Sequence, residues 1–172
     1  MIVVRVLITA ASRHDSTREI AEAIAAGLTQ RGIDAEARPL EQITTLDGFD
    51  AVVVGSAIYM GRWLKTAREF VSEHAAELSS VPVWLFSSGP LGPPDHLIPE
   101  GESADVEQLI ELVGGRGHRV FAGRLERASV GFAERAAAKA VHAPEGDCRD
   151  WDAIDGFAGE IASQLTLEKA AR

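Results

Sequence analysis

Three short apolar runs constrain this chain more than anything else in it: residues 2–9 (IVVRVLIT), 51–56 (AVVVGS) and 82–88 (PVWLFSS). A strand with one face in water alternates apolar and polar residues. These runs do not, so they predict strands covered on both faces, as in a parallel sheet between two helical layers. Helical patterns separate them. Thr17, Ala21, Ile24 and Leu28 share one face of a helix expected from Ser16 to Arg31, with Ser16 and Glu19 spaced as a capping box and Gly32 ending it. Asp34–Pro39 is polar and reads as an edge strand. Trp63–Leu78 reads as a helix with Leu64, Ala67, Val71 and Leu78 inward, and Ala104–Val113 as another. Val120–Gly123 is a last short strand, and Trp151, Ile154, Ala158, Ile161 and Leu165 mark a closing helix. Alternating strands and helices with right-handed crossovers predict an α/β three-layer sandwich, its five-stranded parallel sheet ordered 2-1-3-4-5. One domain over residues 1–172 is the simplest organisation. In that order a ligand lies beyond the carboxyl ends of the strands, beside the first. The places to search follow Thr9, Ser56 and Ser88.

Charge and composition narrow the function classes. A formal net charge of −9 without a basic cluster argues against nucleic acid and anionic membrane surfaces. An acidic surface suits a basic partner protein, although solubility alone also explains it. The single cysteine, Cys148, cannot form an internal disulfide, and a cytoplasmic setting is expected. The five histidines are scattered without metal-ligand spacing, so no metal site is expected. A phosphoacceptor receiver would need an acceptor aspartate where the third strand ends in Gly55-Ser56.

The loop after the first strand is Ala10-Ala11-Ser12-Arg13-His14-Asp15-Ser16-Thr17. It leads from a buried strand into a helix N-terminus, where free amides and the positive end of the dipole favour an anion. Ser12, Ser16 and Thr17 add hydroxyls, Arg13 adds a charge, and His14 and Asp15 complete the turn. A cap alone would need only Ser16 and Glu19. No Gly-Lys-Thr/Ser follows, so this is not a nucleoside-triphosphate loop.

Here the chain resembles flavodoxins, whose phosphate loop runs Thr/Ser-x-Thr-Gly-x-Thr. Ser12 and Thr17 match its ends, with His14 and Asp15 at the inner Thr and Gly. It resembles more specifically the flavodoxin-like proteins of the menaquinone-linked protoporphyrinogen dehydrogenase type. Arg13 and Thr17-Arg18-Glu19-Ile20-Ala21 agree with them, followed in order by Gly55, Ile58 and Gly61, Phe70-Val71, Ala122-Gly123 and Leu125, Asp150-Trp151, Phe157-Ala158 and Glu160-Ile161-Ala162. The resemblance implies a flavodoxin-like fold holding FMN for electron transfer. An inward Asp15 carboxylate would repel the phosphate by about 1–3 kcal/mol, and Asp15→Gly would then tighten FMN. An outward one would act as a helix cap.

The same resemblance assigns the other two loops. Ala57, Ile58, Tyr59, Met60 and Gly61 would flank the flavin ring, with Tyr59 either stacking on it or stapling the loop to the core; Trp63 reads as core. Ser88, Gly89, Pro90, Leu91 and Gly92 would cover its pyrimidine side. Residues 126–149 form an insert-like segment in which Phe132, Arg135 and Lys139 match the quinone-linked proteins. Its alanine-rich composition offers little apolar surface for durable membrane binding. A redox partner protein, a quinone or a porphyrinogen is the implied electron partner. The alternative is a flavodoxin-like domain that has lost FMN and serves as a binding or regulatory module.

Overall fold

Each apolar run becomes a strand, and each strand divides its side chains between two cores. The computed structural model describes residues 3–89, 104–125, 146–147 and 149–171. Strand β1 (Arg5–Ala11) sends Val6, Ile8 and Ala10 to one face and Leu7 and Ala11 to the other. Strand β3 (Ala51–Tyr59) splits Ala51 and Val53 from Val52 and Val54, and β5 (Val83–Gly89) splits Trp84 and Phe86 from Val83 and Leu85. Nearly all of these are inaccessible to water. Each fully buried Leu, Ile or Val contributes about 1.5–3 kcal/mol, which is why runs apolar on both faces end up central.

Strand β2 (Asp34–Pro39) is the polar edge, as expected, and β6 (Gly117–Ala122) is the opposite edge. The five parallel strands run β2-β1-β3-β5-β6, and the two-residue β4 (Arg62–Trp63) pairs antiparallel with the end of β3. With β4 set aside this is the order 2-1-3-4-5 expected from the sequence. Helices α1 (Ser16–Gln30) and α5 (Trp151–Ala170) cover one face; α2 (Lys65–Glu73), α3 (Ala75–Leu78) and α4 (Ala104–Val113) cover the other. Helices α1 and α5 meet at Gly27, where a Cβ would lie 2.9 Å from both Ala158 Cβ and Asp155 Oδ1. Arg31 then clamps Asp155 through two 2.8 Å bonds.

The elements depart from the sequence reading in several places. The helix expected over 63–78 is interrupted. Trp63 belongs to β4, and at His74 the backbone leaves helical geometry, its ring bonded to Glu77 at 2.9 Å. The carboxyl of Glu77 is held low first by that bond and then by the Leu46 amide. Strand β6 begins three residues early, because Ser87 and Glu160 supply partners for the polar His118 and Arg119. Ser16 does not cap α1: Asp15 precedes the first turn, so the expected capping box does not form. Trp151 is 45% exposed instead of inward, its ring lying under the Arg149 guanidinium. Cys148 and residues 126–145 lie outside the described residues, between and beside the paired strands β7 (Arg124–Leu125) and β8 (Gly146–Asp147).

Candidate functional site

The carboxyl ends of β1, β3 and β5 lie side by side, so the three places chosen from the sequence meet at one edge of the sheet. Ala11 pairs with Ser56, Ser56 with Ser87, and Ala57 with Ser88. Small residues occupy every one of these positions, and all but Ala57 are buried.

The first turn is built by a left-handed residue. Asp15 has φ 62°, a conformation in which Asp is tolerated better than most residues. It reverses the chain so that the Ser16 amide donates to the His14 carbonyl (2.7 Å) and the Glu19 amide to the Asp15 carbonyl (2.9 Å). The helix offers no carbonyl to the amides of Thr17 and Arg18, and the Asp15 carboxylate, in the position where it would normally cap them, makes no such bond. It points outward instead: its side chain is 63% exposed and pairs with Arg18 at 3.3 Å. Ser12 is half-buried, Arg13 and His14 are exposed, and Ser16 and Thr17 are buried. The turn therefore presents uncapped amides beside hydroxyls at the positive end of a helix, with the one carboxylate of the loop turned away.

The second place is a hairpin more than a loop. Strand β3 continues through Ala57, Ile58 and Tyr59, all half-buried, three residues beyond the expected end at Ser56. Met60 (φ 51°) and Gly61 (φ 75°) make the reversal, and Ile58 and Tyr59 pair with Trp63 and Arg62. Positive φ at both central residues matches the twist of a two-residue hairpin, at some strain for Met60. Its side chain is 72% exposed at the rim. Arg62 fixes the hairpin to α4 through Asp105, at 2.7 and 3.1 Å, and this fork holds the Asp105 carboxyl below its usual range. The Arg13 guanidinium lies 4.4 Å from the centre of the Tyr59 ring, joining the first turn to the hairpin.

At the third place, Ser88 and Gly89 are buried at the end of β5, with Gly89 in close approach to the chain after β6: a Cβ on Gly123 would fall 2.3 Å from the Gly89 carbonyl. Pro90, Leu91 and Gly92 lie outside the described residues.

Two supports beneath the site escape sequence reading. Trp63 Nε1 donates to Ser87 Oγ at 2.8 Å, and Ser87 Oγ bonds His118 Nε2 at 2.7 Å. Burial, then the Arg119 charge, pushes the His118 imidazole down to about 4. Once buried, each of these polar groups needs a partner, but their three elements become neighbours only in the fold. The second support is Arg149, almost fully buried, which binds Glu19 of α1 and Asp147 of β8.

Residues 7–152 match the flavodoxin domain family. The chain belongs to this family. A flavodoxin domain is a flavin-binding redox module. The chain is 30% identical to the protoporphyrinogen IX dehydrogenase [quinone] of Escherichia coli K12, covering 92% of this chain and 94% of that one, and equally to the protein of the same name from Escherichia coli O157:H7. Among solved structures, a flavodoxin from the domain Archaea superposes with a TM-score of 0.65 at 15% identity, over 95% of this chain and 99% of that one. Rubredoxin oxygen:oxidoreductase from Desulfovibrio gigas also gives a TM-score of 0.65 at 15% identity, over 96% of this chain but only 37% of its own. At such identities the likeness concerns the fold. Among the described residues, no helix is long and apolar enough to cross a membrane.

Proposed function

We propose that this chain holds one FMN at the carboxyl end of the sheet and passes electrons through it in the cytoplasm, with a porphyrinogen as donor and a quinone as acceptor. The observation that carries this reading is the uncapped first turn of α1, lined by Ser12, Ser16 and Thr17 and cleared of the Asp15 carboxylate. Those donors fit a phosphate dianion. Amides of Thr17 and Arg18 would bind it with the hydroxyls, Arg13 adding positive charge. Tyr59, Met60 and Gly61 would border the ring on one side and Ser88 and Gly89 on the other, with Pro90, Leu91 and Gly92 extending that side. Bound FMN supplies the electron chemistry; the chain anchors, orients and shields it. The donor and acceptor follow from the name of the 30% identical relative. The reading treats residues 1–172 as one domain carrying an insert at 126–149.

The test is reconstitution. Purified protein is expected to show flavin absorption bands, or to acquire them on titration with FMN, and then to oxidise protoporphyrinogen IX with menaquinone. A protein that remains colourless in excess FMN refutes the cofactor. Flavin bands without turnover refute the porphyrinogen–quinone assignment alone. Because the Asp15 carboxylate faces solvent, Asp15→Gly should leave the FMN dissociation constant within about threefold of the parent. A tenfold tightening in a flavin-fluorescence titration would mean that the carboxylate faces the phosphate.

A further inference from the structure

The N-terminal end of α1, where an anion would bind, carries two carboxylates, Asp15 just before the first turn and Glu19 within it. Each has an arginine, but the two pairs differ physically. Asp15 and Arg18 are both about half exposed or more, so water and salt screen that pair. Glu19 is met by Arg149, whose side chain is only 4% exposed. Arg149 comes from the other end of the chain, 130 residues away, and is held rigidly. Its Nε and Nη2 donate to the two oxygens of Asp147 at 2.8 and 2.6 Å, its Nη1 to Glu19, and its guanidinium lies 4.5 Å from the centre of the Trp151 ring. The Asp150 side chain caps α5 through the Ala153 amide at 3.0 Å, fixing the backbone next to it.

We propose that Arg149 is a positioning residue for the phosphate turn: by holding and neutralising Glu19, it keeps the first turn of α1 receptive to a doubly charged phosphate. The inference rests on the FMN reading. A carboxylate in the first turn favours the helix, but it competes with an incoming anion for the same positive end. A buried guanidinium removes that competition in a way an exposed one cannot, since low-dielectric surroundings preserve its field.

The prediction distinguishes FMN from riboflavin, which lacks the phosphate. Arg149→Gln should weaken FMN about tenfold, or 1.4 kcal/mol, and leave riboflavin within about twofold, both read by flavin-fluorescence titration of the purified protein. Glu19→Gln combined with Arg149→Gln should return FMN to within about threefold of the parent. If Arg149→Gln alone does not fold, Glu19→Gln is compared with the double variant, and FMN affinity should again differ by less than about threefold. Equal losses for FMN and riboflavin, no loss of FMN, or a double variant as weak as the single one would each overturn the role of Arg149. A parent protein that binds no FMN would overturn the cofactor reading instead, so the two failures are distinguishable.

Discussion

Replacing Gly55 with alanine is expected to destabilise the protein by about 3 kcal/mol, the upper range for overpacking a tight core. A Cβ at Gly55 would fall 2.2, 2.3 and 2.5 Å from Cζ, Cε1 and Cε2 of Phe86, so the ring of the neighbouring strand lies directly over the glycine. The ring cannot step aside cheaply. Phe86 is fully buried, and its centroid is 6.1 Å from that of Phe121, which stands 5.8 Å from Phe157 of α5. Relief therefore means moving three aromatic rings or parting β3 from β5. For a chain of this size each kcal/mol lowers the melting temperature by about 2–4 °C, so thermal unfolding should begin some 6–12 °C lower. Adding Phe86→Leu should recover part of the loss by opening room for the new methyl group. A Gly55→Ala variant melting within about 2 °C of the parent would show that the rings yield freely.

What was legible in the sequence follows from how local each signal is. Strands β1, β3 and β5 were legible because their residues are apolar on both faces, a property of the strand alone. The faces of α1 and α5 were legible through their spacing. Strand β4 was not: two residues become a strand only because Met60 and Gly61 fold them back on β3. Trp63 was recognised as core, but its bond to Ser87 depends on two elements meeting. For the site, the chain order after β1 located the turn, since hydroxyls before a helix carry local meaning. The direction of the Asp15 side chain was left open, being set by a left-handed φ and by Arg18 one turn later. The approach of Arg13 to Tyr59 and the pairing of Arg149 with Glu19 required the folded sheet, because no periodic pattern records contacts across such separations.

Acidification from pH 6.5 to pH 4 should remove on the order of 2–3 kcal/mol of stability through His118 alone. In the native protein burial, followed by the Arg119 charge, pushes this imidazole from 6.5 down to about 4. The unfolded chain therefore takes up the proton first. Its contribution is intact above pH 6.5, declines as the pH falls, and is exhausted near pH 4, where both states are protonated. The hydrogen bonds give the same sign. The Ser87 hydroxyl accepts from Trp63 Nε1 and has its own hydrogen to give to His118 Nε2, which fits a neutral ring protonated at Nδ1. A proton on Nε2 would direct a second donor at the Ser87 oxygen and leave the hydroxyl hydrogen without its acceptor. The carboxylates of Asp105 and Asp155, held below 3.8 chiefly by Arg62 and Arg31, lose their contributions at lower pH and leave the upper window to the histidine. Urea unfolding at pH 7, 6, 5 and 4 should show the decline in the parent. His118→Leu should be less stable at pH 7, because Ser87 loses its acceptor, yet fall less steeply, so that the two curves converge towards pH 4. Parallel curves across that range would mean that His118 takes up its proton at the same pH in the folded and unfolded protein, so that its place beside Ser87 does not disfavour the charged ring.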